Sequence, residues 1–338
     1  MATMQDVAQL AGVSVTTVSH VINDTRFVSE EVRQRVATAM RELRYQPNAL
    51  ARSLRLGQTR TFGMIVPDSA NPFFAEVARA IENASFAGDH NVILCNSDGD
   101  LNKELVYANV LMEKQVDGII FVAAGLSSEH LRSIIMRDVP VVVADRSLPD
   151  VEVDTVEADH YGGGYAATEH LISLGHRRIG CIAGPPVLTS SAERLRGYRG
   201  ALAAHCLPAD DDLVQTGDFQ YTGSALAMSR LLALREPPTA VFASNDMMAV
   251  AAIHVAADLR LRVPEDLAVV GFDDIALASF SNPPLTTIAQ PKQEMAETAI
   301  RLLFARISNP TAPAQRLLLP VQLVVRRSSA AGSGSRGS

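Results

Sequence analysis

The sequence predicts an α/β protein: a small head of three helices, then a larger body of two lobes, each built on a doubly wound parallel sheet. Three observations carry this. Residues 3–43 show helical periodicity broken by a glycine turn. From Thr61 onward, seven short runs rich in Val and Ile each lie close to a helix-like stretch of ten or more residues, the signature of a parallel sheet. Charge divides unevenly: residues 1–60 carry eight Arg against five acids, whereas the rest of this 338-residue chain, which is −7 overall, is net −10.

The head begins with Thr3 to Asn23, TMQDVAQLAGVSVTTVSHVIN. Val7, Leu10 and Ala11 stand at helical spacing and predict one apolar side of a short helix. Gly12 can take positive φ at the turn, and the Ser14 hydroxyl can cap a second helix. In that helix Val18, Val21 and Ile22 face inward. Its other side offers Val15, Thr16, Thr17, Ser19 and His20, short and mostly hydrogen-bonding groups of the size that reaches base edges and phosphates in a major groove. Thr3, Ser14, Asn23 and Arg26 complete the candidate DNA-contacting set. A third helix follows Ser29, with Glu30 and Glu31 at its N-terminus and a stripe of Val32, Val36, Ala39, Met40 and Leu43. Three amphipathic helices are also compatible with a plain helical subdomain. The basic excess at this end of an acidic chain favours a phosphate-binding head.

The run VAQLAGVSVTTVSHVIN resembles the N-terminal signature of LacI/GalR transcriptional regulators, and the resemblance continues to about residue 327. It implies a periplasmic-binding-protein-like body, and it implies Val15, Thr16 and His20 as the main base-edge readers. Many relatives carry a longer polar residue or Arg at the positions of Val15 and His20, so operator bases do not carry over from them. Purine-responsive and ribose-responsive branches both use a TTVSH-like run.

Between head and body lies QPNALARSLRLG, Gln46 to Gly57. Pro47 and Asn48 supply a helix start and Gly57 a stop. So short a helix does not hold alone in water, since nucleation is costly below roughly 12 to 15 residues. The family resemblance implies that two copies pair as hinge helices over a minor groove, with Leu54 wedged into a base step and Arg52 and Arg55 near phosphates. An ordinary linker is the alternative. The expected domains are thus a head over 1–46, a hinge over 47–59 and a body over 60–327.

In the body, FGMIVP, NVILCNS, DGIIFVA, VPVVVAD, RRIGCIAG, TAVFASND and LAVVGFDD are the strand candidates. About 270 residues exceed what one core holds, so two lobes are expected, the first near 61–160 and the second near 161–289. The chain should return to the first lobe after Gln290, over 291–327, and the low-complexity tail 328–338 should be disordered. Ligands in such folds bind beyond the carboxyl ends of the strands. The residues there are Asn71, Phe73 and Phe74; Asp145 and Arg146; Asn245; and Asp273, with Arg194, Phe219 and Gln290 as further candidates. Aromatic rings cover the C–H faces of a small polyol, carboxylates accept from its hydroxyls and guanidinium groups donate to them. Alone, Asp145 or Asp273 could cap a helix, Arg146 could sit in a surface ion pair and Phe73 could be core. Together they resemble the pentose site of ribose-binding proteins and of the ribose-responsive branch of the family.

Other motifs fail on inspection. Asp98, Asp100 and Asn102 imitate the start of a calcium loop, but Lys103 takes the glycine position and Asn109 the closing glutamate position. Gly162, Gly163 and Gly164 lack dinucleotide or P-loop spacing, and no HExxH pair exists. Asp273 and Asp274 are adjacent on a strand end and point apart, which suits sugar binding better than glycosidase chemistry. No metal, cofactor or catalytic residue is expected. Cys95, Cys181 and Cys206 are few and scattered, no leader is evident, and no apolar stretch approaches the roughly eighteen residues of a membrane span, so a cytoplasmic site of action is expected. The expected protein is a homodimeric repressor that binds pseudo-palindromic double-stranded operator DNA and responds to a small sugar, ribose by resemblance. The effector could instead be a nucleoside, a purine or a phosphorylated sugar. A sugar-converting enzyme is the rival of another class, and whether the effector induces or corepresses stays open.

Overall fold

The computed structural model describes residues 2–46, 58–122, 128–146 and 150–329. Two compact units result, one ending at Thr59 and one beginning at Arg60. The hinge positions Arg52, Leu54 and Arg55 lie outside the described residues.

In the first unit α1 spans Met4–Ala11, α2 Val15–Asn23 and α3 Glu30–Glu42. Thr3 and Asp6 start α1 with a reciprocal cap: Asp6 N–H donates to Thr3 Oγ1 at 3.3 Å and Thr3 N–H to Asp6 Oδ2 at 2.8 Å. Gly12 ends α1 at φ 64°, a left-handed conformation in which a side chain is strained. Arg35 of α3 reaches back to this turn and donates to the carbonyls of Ala11 and Gly12. One turn is thereby clamped from a second helix. The core is Val7, Ala8, Ala11, Val18, Val36 and Ala39, with Val21, Ile22, Val32, Met40 and Leu43 packed around it. Leu10 departs from expectation. It is 50% exposed, and Ala8 takes the inward place, because the short α1 turns its buried side toward α3 through residues 7, 8 and 11.

In the second unit β1 (Thr61–Val66), α4 (Pro72–Ala87), β2 (Asn91–Asn96), α5 (Leu101–Glu113), β3 (Gly118–Val122), α6 (Ser128–Ile135), β4 (Val141–Ala144) and β5 (Asp154–Ala158) come first. Next are α7 (His160–Ser173), β6 (Ile179–Ala183), α8 (Thr189–Ala204), β7 (Val214–Thr216), α9 (Tyr221–Leu232), β8 (Ala240–Ala243), α10 (Asp246–Asp258) and β9 (Ala268–Asp273). The chain closes with α11 (Ala276–Phe280), β10 (Thr286–Ala289), α12 (Lys292–Ser308), β11 (Arg316–Leu319) and β12 (Gln322–Val324). Among the described residues the strands form two six-stranded sheets, in the orders β11-β5-β4-β3-β1-β2 and β12-β10-β9-β8-β6-β7. All pairs are parallel except β10 with β12. Central strands such as β3 and β9 are buried along their whole length, as sheets covered by helices on both faces require. Each fully buried Ile, Phe or Leu there contributes roughly 1.5–3 kcal/mol.

The lobe boundary needs one correction. After β10 the chain does return to the first lobe, where α12 packs on that lobe's core through Met295, Ala296, Ala299, Leu302 and Leu303 and β11 joins β5. It then crosses again, since β12 pairs with β10 in the second sheet, so the expected single return over 291–327 fails after Leu319. Nor does the tail begin at residue 328. The Ser328 hydroxyl donates to Val269 O at 2.6 Å and accepts from Thr286 N–H at 2.8 Å, and Ser329 Oγ lies 2.8 Å from Thr286 Oγ1. These serines tie the starts of the neighbouring strands β9 and β10 together, a role their low-complexity composition concealed.

Candidate functional site

On the head, the candidate DNA-contacting residues divide by what they already bond. Thr3 is engaged in its cap, and Ser14 accepts from Thr17 N–H at 3.0 Å while its oxygen lies 2.8 Å from Thr17 Oγ1. Asn23 donates to Ser19 O at 2.7 Å, and His20 Nδ1 sits 2.8 Å from Thr25 Oγ1. Val15, Thr16 and Arg26 are exposed, while Thr17, Ser19 and His20 are half-buried. The caps fix α2 so that its N-terminal turn, with partial positive charge, presents Val15 and Thr16 outward. Sequence reading passed over Phe27, which is 93% exposed beside Arg26.

Between the two lobes of the body lies a cavity of about 530 Å³. Nine of the ten effector candidates line it: Asn71, Phe73, Phe74, Asp145, Arg146, Arg194, Phe219, Asn245 and Asp273. Gln290 does not. It is buried behind Asp273, and its Nε2 donates to Asp273 Oδ1 at 2.8 Å, so it orients a pocket carboxylate instead of forming the wall.

Local folding explains why these side chains converge. Asn71 and Asn245 cap α4 and α10, their Oδ1 atoms accepting from Phe73 N–H at 3.0 Å and Met248 N–H at 2.9 Å. Each keeps an NH2 group with two donors, and that of Asn245 holds Phe219 O at 3.3 Å. Phe73 and Phe74 meet edge to face with centroids 5.3 Å apart. Three residues of the set occupy the left-handed region, Asp145 at φ 59°, Phe219 at φ 62° and Asp273 at φ 112°. Such conformations are costly away from glycine and collect at functional sites, here where strands β4 and β9 must turn a carboxylate sideways into a cleft. Asp274, as its adjacency implies, faces elsewhere and pairs with Arg326 at 2.7 Å.

The electrostatics centre on Arg194, which is buried. Its Nη1 donates to Ser244 O at 2.6 Å and lies 3.6 Å from Asp273 Oδ1, its Nε donates to His160 Nδ1 at 3.3 Å, and its guanidinium carbon stands 3.8 Å from the Phe272 ring centroid. Desolvation pushes the Asp145 carboxyl up to about 7, opposed by Arg194 and reinforced by Asp273. Burial likewise raises Asp273 to about 6, against the pull of Arg194 and of the Gln290 bond. His160 is held well below its ordinary value, first by burial and then by the Arg194 charge. The cleft therefore offers acceptors, donors and ring faces, close together and away from water. No nucleophile paired with a base lines it, and among the described residues no group of His, Cys, Asp or Glu is placed to hold a metal.

Several wall residues and one residue behind the wall lie outside the expected set. Asp98 and Gly99 line the cavity although their stretch drew notice only as a failed calcium loop. Asp68 and Gln220 meet across the mouth, Gln220 Nε2 donating to Asp68 Oδ2 at 3.1 Å. His160 follows β5, a strand that sequence reading did not pick out; its position just past a strand's carboxyl end was the signal that could have found it.

The profile described as bacterial regulatory proteins, lacI family, matches residues 3–48. That described as a periplasmic binding protein-like domain matches residues 168–329. Along 331 residues the chain is 45% identical to the ribose operon repressor of Escherichia coli (strain K12), covering 97% of this chain and 100% of that one. It is 40% identical over 329 residues to the HTH-type transcriptional repressor PurR of Aliivibrio salmonicida (strain LFI1238), covering 97% and 99%. Among solved structures, the lac repressor dimer bound to operator and the anti-inducer ONPF matches with a TM-score of 0.88 at 29% identity, over 98% of this chain and 99% of that one.

Proposed function

We propose that this chain, which belongs to the LacI family of bacterial regulatory proteins, has a grip on operator DNA that is set by a small polyol held between its two lobes, with D-ribose as inducer. The chain is a DNA-binding transcriptional repressor and not an enzyme. The observation that carries the effector reading is the cleft itself. Asp145, Asp273, Arg146, Arg194 and two asparagine amides surround a space walled by Phe73, Phe74 and Phe219. Carboxylates accept and guanidinium groups donate to ring hydroxyls, while the phenyl rings cover C–H faces. The name of the E. coli relative supports ribose within that class.

In this reading Val15, Thr16 and His20 read base edges, Arg26 and the hinge residues Arg52 and Arg55 meet phosphates, and Leu54 wedges a central step. Two copies bind a pseudo-palindromic operator in the cytoplasm. Ribose closes the cleft, shifts the first lobes against each other in the dimer and separates the hinge segments. Coupling of this kind amounts to about 1–3 kcal/mol, or roughly 5- to 150-fold in operator affinity. The PurR relative favours a second reading in which a purine occupies the cleft and strengthens DNA binding. Anisotropy of a labelled operator, selected from random duplexes and titrated at fixed salt, separates the two. Ribose is expected to release the duplex and hypoxanthine to leave it bound as before. Tighter binding with hypoxanthine, or indifference to ribose, overturns the sugar reading.

A further inference from the structure

We propose that His160 is a positioning residue of the effector cleft: as a neutral ring it bridges the Asp145 carboxylate of the first lobe and the Arg194 guanidinium of the second, and so sets both for the ligand. This rests on the reading of the cleft as a polyol site. His160 opens α7, immediately after the chain crosses from β5 into the second lobe, and it is only 4% exposed. Its ring is confined. Phe272 lies 6.0 Å away, centroid to centroid, and α7 packs so closely on α8 that a Cβ at Gly164 would stand 2.2 Å from the Arg194 carbonyl.

The tautomer follows from bonding rules. Arg194 Nε–H can only donate, so the Nδ1 it reaches at 3.3 Å carries a lone pair, and a neutral ring then bears its proton on Nε2. That Nε2 faces Asp145 Oδ1 at 3.5 Å, and neither atom has a hydrogen-bond partner among the described residues. Two buried polar atoms of complementary kind, one from each lobe, thus face each other slightly beyond bonding distance. The charged groups around the ring are Asp145 past β4, Arg194 on α8 and, beyond Arg194, Asp273 at the end of β9. A second cation here would oppose Arg194, so the neutral form is the one that bridges. His160 is not among the residues lining the cavity, which makes it a support to those that are.

The test uses the full chain. With ¹⁵N-histidine labelling, the His160 signal, identified by its loss in His160→Leu, should show Nε2–H and a bare Nδ1; an Nδ1–H tautomer overturns the bridge whether or not ribose binds. Calorimetry with D-ribose, at a temperature where the variant is fully folded, should show His160→Leu weakened about 10- to 100-fold, the range for hydrogen bonds to charged groups. His160→Gln, which retains a donor and an acceptor, should recover most of that loss. Ribose affinity in His160→Leu equal to that of the unmodified protein overturns the proposal, as does a loss in both variants that tracks lowered melting temperature. Absence of ribose binding by the unmodified protein, beside the expected tautomer, faults the polyol reading alone.

Discussion

The head and the cleft solve recognition in opposite ways. In the head, candidate contact residues lie within one short run and point outward, and the polar bonds they make are local: Thr3 to Asp6, Ser14 to Thr17, Asn23 to Ser19. In the cleft, the set spans Asn71 to Gln290, its members arrive from separate strand and helix ends, and Arg194, Asp145 and Asp273 are all buried. An outward surface in water tolerates loosely held charges and is built from helix caps. A buried site must satisfy every charge it contains, so it recruits supports such as Gln290 and His160 that never reach the ligand space.

The largest break of this contrast is Arg194→Ala. Losing the shared guanidinium removes the main opposing charge from Asp145 and from Asp273, which keeps only its Gln290 bond and the more distant Lys292 charge, and costs about 3–5 kcal/mol at neutral pH, seen as a lowered urea midpoint. A change below about 1 kcal/mol would mean that the cleft is wetter than its burial indicates.

Acidity gives a middle-sized effect. With Asp145 raised to about 7 and Asp273 to about 6 by burial, the folded protein holds protons between pH 4 and 7 that the unfolded chain has released. These two groups therefore subtract stability as pH rises through that window. Sugar hydroxyls favour the ionised acceptors, so ribose binding should expel protons near pH 6.5. Affinity should rise on the order of tenfold per pH unit between about pH 6 and 7, more steeply below that where both groups lose protons, and level off above about pH 8. Calorimetry in two buffers of unlike ionisation enthalpy measures the expelled protons; equal heats in both refute the assignment.

Smallest is Ser14→Ala. An N-cap of this kind contributes about 1 kcal/mol, and because Ser14 is exposed and bonds only within α2, the loss should be confined to the head. Hydrogen exchange should quicken in residues 15–23 and stay unchanged in the body. Faster exchange in the body as well would contradict a cap that acts only within α2.

Legibility in the sequence follows the same divide. The capped helices, the glycine turn and the seven apolar strands announce themselves through neighbours within a few residues. Leu10 misled because the direction of α1 depends on α3, and Gln290 because its distance from the ligand space is fixed by β10 lying beside β9. The short edge strands β7, β11 and β12 carry too few residues to establish a period of two and are mostly half-buried or exposed, while β5, though interior and mostly buried, breaks its apolar run with Asp154 and Glu157.

By itself the sequence determined the helical head, the two parallel sheets and most of the residues gathered in the cleft, since periodicity, caps and strand-end positions are local properties of the chain. Only the tertiary structure decided which of those residues touch the cavity, that Arg194 is shared among Ser244, His160 and Asp273, and that β12 and the serines after it close the second lobe. Such matters depend on burial and on contacts between residues far apart in the chain, where desolvation sets the energy of every charge and no short window of sequence records it.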